Sequence, residues 1–130
     1  MVRRSAETLG GVDVLLPAAG LRQPGIPGQK GALSAWTWSI ARAWAAEKVS
    51  AIALAPAVQP PGADRLREFL GPEAARFIDE EIKKTIPLGG ALGDPVNDLG
   101  PTLVFLCSEG SRFITGQLIA VDGGLVMLGA

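Results

Sequence analysis

Short runs of consecutive apolar residues recur along the chain, separated by longer stretches in which apolar positions follow a helical spacing. The runs VDVLL at 12–16, VSAIALA at 49–55 and QLIAV at 117–121 predict three strands. The first, with Asp13 inside it, reads as a strand buried on both faces, as in a parallel sheet. The segment RRSAETL at 3–9 predicts the last turns of a helix, stopped by Gly10 and Gly11. Residues 29–47 predict the longest helix. One stripe carries Leu33, Trp36, Ile40 and Trp44, and a second carries Ala35, Trp38, Ala41 and Ala45. Apolar side chains therefore lie on two faces, of which a single sheet covers one.

Two shorter helices are predicted at 63–70 and 73–85, broken by Gly71-Pro72, with Leu66, Phe69, Leu70, Phe77, Ile78 and Ile82 on their faces. Asp94 followed by Pro95 predicts a capped helix over 95–109. That helix buries Val96, Leu99, Leu103, Leu106 and Cys107, and Gly110 closes it. The Gly- and Pro-rich segments 17–28, 56–62 and 86–94 are loops, and LVMLGA at 125–130 is an apolar tail. Strand, helix, strand, helices, strand is the order of an α/β sheet with right-handed helical crossovers. The expectation is a reduced Rossmann-like fold, about three parallel strands with flanking helices, in a single truncated domain over 1–130.

Composition adds a second inference. Of the 130 residues 48% are hydrophobic and 19% charged, more apolar matter than so small a globule hides, which predicts a partner. The net charge of −1, without a basic stripe, gives nucleic acid no electrostatic footprint. No apolar stretch has the length of a signal or membrane helix, so no membrane is expected. The single Cys107 fits a reducing cytoplasm.

LVFLCSEGSRFITGQLIAVDGG at 103–124 resembles the end of short-chain dehydrogenases/reductases, in particular the 3-oxoacyl reductase type. VDVLLPAAG resembles the family's fourth strand and its N-N-A-G motif, here Pro17-Ala18-Ala19-Gly20. QKGALSAWTWSIARAWAAEKVSAIALAPA resembles the active-site helix, the sixth strand and the P-G motif, here Pro56-Ala57. Together these cover nearly the whole chain from residue 3.

The departures bear on chemistry. The family's catalytic tyrosine lies four positions before the lysine that opens the active-site helix. Here the lysine is Lys30 and the tyrosine position holds Ile26, in a chain with no Tyr and no His. Ile26 carries no proton, and Lys30, which in the family binds the cofactor ribose and tunes the tyrosine, is left vestigial. The family's long helix with a catalytic Asn and its strand with a substrate-orienting Ser fall where residues 20–26 have collapsed. The strand and glycine-rich turn that hold the cofactor pyrophosphate precede the matched region, and neither Gly10-Gly11 nor Gly89-Gly90 follows a strand and opens a helix as that turn does. No catalytic, cofactor-binding or metal-ligating residue is therefore expected in this chain. Cys107, on the apolar stripe of its helix and without a His to activate it, reads as a buried small hydrophobe.

What the pattern keeps is assembly. The resemblance implies two oligomer surfaces, one built from the last long helix and strand, the other from the active-site helix. The candidate interface residues are Trp36, Trp38, Trp44, Leu103, Phe105, Leu106, Phe113 and Ile119. The expected partner is a full-length, active short-chain dehydrogenase/reductase subunit carrying NAD or NADP, in an α2β2 heterotetramer. The alternatives are a minimal oxidoreductase that completes its NAD(P) site in trans, and a homo-oligomeric binding module.

Overall fold

The computed structural model describes residues 7–8, 10–16 and 27–126. In chain order the elements are β1 (Val14–Leu15), α1 (Pro27–Ala43), β2 (Ser50–Pro56), α2 (Ala63–Leu70), α3 (Pro72–Thr85), α4 (Gly100–Leu106) and β3 (Gln117–Val121). The strands form one sheet in the order β1-β2-β3. β1 and β2 are parallel, with Val14 opposite Ser50 and Leu15 opposite Ala51.

β2 is the central strand, and its burial follows from that position. Ala51, Ile52, Ala53 and Leu54 are all buried, the continuous apolar run of a strand covered on both faces. β1 departs from expectation. Only two residues of VDVLL form the strand, Val14 is half-buried and Asp13 is exposed. An edge strand with a neighbour on one side is not enclosed as β2 is.

The chain divides into two compact units, Met1–Leu54 with Phe105–Ile119, and Ala55–Val104 with Ala120–Ala130. In the first, α1 lays Leu33, Thr37, Ile40 and Ala41 along its inner side, at the i, i+4, i+7 spacing of one helix face, and Trp44 in the following turn is half-buried. Thr37 is among the most buried residues there, and its hydroxyl donates to the Leu33 carbonyl at 2.8 Å, which satisfies it without a partner outside the helix. The turn after α1 closes with Lys48 N–H donating to the Ala45 carbonyl at 3.1 Å and Val49 N–H to the Trp44 carbonyl at 3.3 Å. Lys48 takes the left-handed conformation such a cap requires, φ 61°. The loop before β3 is pinned to β2 twice. The Ala51 N–H donates to Thr115 Oγ1 at 3.0 Å, and the Gly116 N–H donates to the Ala51 carbonyl at 2.7 Å.

In the second unit, α2 and α3 form a hairpin tied by Arg67 to Asp79 at 2.8 Å. That hydrogen bond raises the arginine's pKa above its ordinary value. Neither helix of the hairpin has a fully buried residue.

The helix predicted over 95–109 is shorter and irregular. Asp94 caps it as expected, Oδ1 accepting from the Val96 N–H at 2.9 Å and the Asn97 N–H at 2.7 Å. Asp98 reaches back to accept the Asp94 N–H at 2.6 Å, completing a reciprocal cap. The first turn, Pro95–Leu99, is a wide π turn, and regular helix runs only from Gly100 to Leu106. The chain then leaves through a short 3-10 turn at Glu109–Ser111, and Gly110 does not adopt the left-handed C-cap conformation. Val96 and Cys107, both expected inside, are exposed. The wide turn holds an extra residue, so a face counted at 3.6 residues per turn rotates by about 100° across it. Leu99 and Leu103 stay half-buried, and Leu106 is fully enclosed.

Candidate functional site

The positions at which the family pattern puts catalysis contribute little to the described structure. Ile26 lies outside the described residues. Lys30 falls in the first turns of α1, where the backbone is described and the side chain is not. Neither Gly10-Gly11 nor Gly89-Gly90 lies between a strand and the helix it opens. Gly10 and Gly11 precede β1 rather than follow a strand. Gly89 and Gly90, both at positive φ, come after helix α3 and lead into the Asp94 cap. A strand, a glycine turn and a helix N-terminus in that order are what a dinucleotide needs. Neither of these two pairs stands in that order.

The candidate interface residues separate into two groups. Trp36 and Trp38 flank buried Thr37, and neighbours on a helix point about 100° to either side, so both rings turn outward. They are 42% and 57% exposed. The buried line of α1 thus runs between the two predicted stripes, and Trp36 does not belong to it. Phe105 is half in solvent and packs against the backbone at Gly110, where an added Cβ would sit 3.3 Å from its Cε2. Phe113 is 100% exposed. Trp44, Leu103 and Ile119 are half-buried. Leu106, an interface candidate that the sequence also puts on the buried stripe of its helix, is 0% exposed and belongs to the core, not to an exposed surface. The exposed aromatic set of the first unit is therefore Trp36, Trp38, Phe105 and Phe113.

Two clefts complete the inventory. One, of about 970 Å³ in the second unit, lies beyond the carboxyl ends of β2 and β3 and is lined by Ala57, Leu88, Gly93, Asn97, Val121 and Asp122 among others. Its acids are engaged by the protein's own backbone. Asp122 accepts from the Gly124 N–H at 2.9 Å and the Val126 N–H at 3.0 Å, and Asp98 accepts from Asp94. The cleft thus offers apolar surface and peptide groups but no acid-base pair. The other, of about 1020 Å³ in the first unit, is lined by Asp13, Lys48, Cys107, Glu109, Arg112 and Phe113 with others. Cys107 is solvent-exposed there, not a buried hydrophobe, and the chain has no His to act as its base. Among the described residues no group of three or more His, Cys, Asp or Glu side chains could hold a metal ion. No helix among them is long and apolar enough to cross a membrane.

A sheet with helical crossovers and a cleft outside the carboxyl ends of its strands is an α/β domain of Rossmann-like class. Residues 25–126 match the family model described as enoyl-(acyl carrier protein) reductase. The chain belongs to that family, within the short-chain dehydrogenases/reductases. A tropinone reductase homolog of Arabidopsis thaliana is 36% identical over 104 residues, 77% of this chain and 35% of that protein. The 7alpha-hydroxysteroid dehydrogenase of Bacteroides fragilis is 47% identical over 63 residues, 45% of this chain and 24% of the relative. Among solved structures, the 3-ketoacyl-(acyl-carrier-protein) reductase of Brucella melitensis complexed with NADH superposes with a TM-score of 0.66 at 27% identity, covering 95% of this chain and 49% of that one. A short-chain dehydrogenase/reductase family oxidoreductase of Burkholderia thailandensis gives 0.68 at 26% identity, with 95% and 48% covered. The chain therefore spans about a quarter to a third of the length of these curated relatives, and about half of the structural ones.

Proposed function

We propose that this chain is a non-catalytic subunit that assembles with a full-length, active short-chain dehydrogenase/reductase and supports its quaternary structure. The observation that carries the reading is the direct pairing of β1 with β2. The Ser50 N–H donates to the Asp13 carbonyl at 2.9 Å, and the register runs Val14 to Ser50 and Leu15 to Ala51. The family pattern places a helix with the catalytic Asn and a strand with the substrate-orienting Ser between the elements matching β1 and α1. Here the sheet closes without them. Ile26 stands where the tyrosine would be, and Lys30 has no tyrosine to tune.

The partner supplies NAD or NADP and all proton transfer. The complex is an α2β2 heterotetramer, and the exposed aromatic set on the first unit is the surface the partner covers. Trp and other aromatic residues concentrate binding energy at such surfaces, and burying one such side chain contributes roughly 1.5–3 kcal/mol.

Calorimetric titration of the purified chain with NAD and NADP tests the reading. No heat of binding is expected. A micromolar dissociation constant near one-to-one stoichiometry would show that the chain holds a cofactor itself and would overturn it.

A further inference from the structure

We draw no further inference here: the strongest candidate, the apolar surface that the α2–α3 hairpin leaves in solvent at Leu66, Phe69, Leu70 and Phe77, carries none because nothing in the structure shows what covers it.

Discussion

Gly123 sits so close to Ile86 that a Cβ on the glycine would lie 2.6 Å from the isoleucine's Cγ2 and 3.2 Å from the Leu88 carbonyl oxygen. Ile86 is 2% exposed, so it has little room to yield. Gly123 also has φ 61°, a conformation that residues with a Cβ rarely take. The D-G-G signature after β3 is thus a packing requirement. The glycine lets the turn pass over Ile86, while the Leu88 N–H donates to the Gly123 carbonyl at 2.9 Å.

Gly123→Ala combines left-handed strain with overpacking. It should destabilise the chain by about 1–3 kcal/mol, read as a lower urea midpoint with an unchanged slope. An unchanged midpoint would mean that the turn and Ile86 are not packed as described.

Lys48 gives the opposite expectation. A left-handed residue with a Cβ costs roughly 1–2 kcal/mol, and glycine's extra freedom in the unfolded chain offsets about 0.4–1 kcal/mol of any gain. Lys48→Gly should therefore raise stability, by about 1 kcal/mol or less. Urea denaturation checks it, and a loss of stability would show that the lysine side chain contributes more than the strain removes.

Regular elements were legible because their signals are local. The apolar run of β2, the hairpin break at Gly71-Pro72 and the β3 run QLIAV lie where the structure has them. The Asp94–Pro95 cap was legible for the same reason. Burial was read less well wherever it depended on more than spacing. The wide turn at Pro95–Leu99 leaves no mark in the apolar pattern, yet it rotates Val96 into solvent. Thr37 is polar and so adds nothing to an apolar stripe, yet it is buried because its hydroxyl is satisfied inside its own helix. Leu106 reads in sequence both as part of the buried stripe and as an interface candidate, and the packing puts it in the core and Phe105, off that stripe, at the surface.

That separation can be measured. Phe105→Asp should leave the isolated chain folded but break its complex, because a carboxylate trapped unpaired at an interface costs several kcal/mol. Leu106→Ala removes a side chain that is 0% exposed and should lower stability by about 2–5 kcal/mol. Circular dichroism melts and size-exclusion chromatography of both variants distinguish the two effects. A Phe105→Asp complex that stays assembled and active would move the interface to α1, at Trp36 or Trp38.

The central claim is that the chain works only as part of a larger oxidoreductase. The direct measurement is affinity capture of the tagged chain from its native host. Light scattering and an NAD(P)H turnover assay are then run on the same size-exclusion fractions. The account predicts that a full-length short-chain dehydrogenase/reductase elutes with the chain, that turnover follows that complex, and that the chain freed of it self-associates and turns nothing over. A stable, monodisperse monomer that elutes alone, or one that oxidises the cofactor unaided, would contradict it.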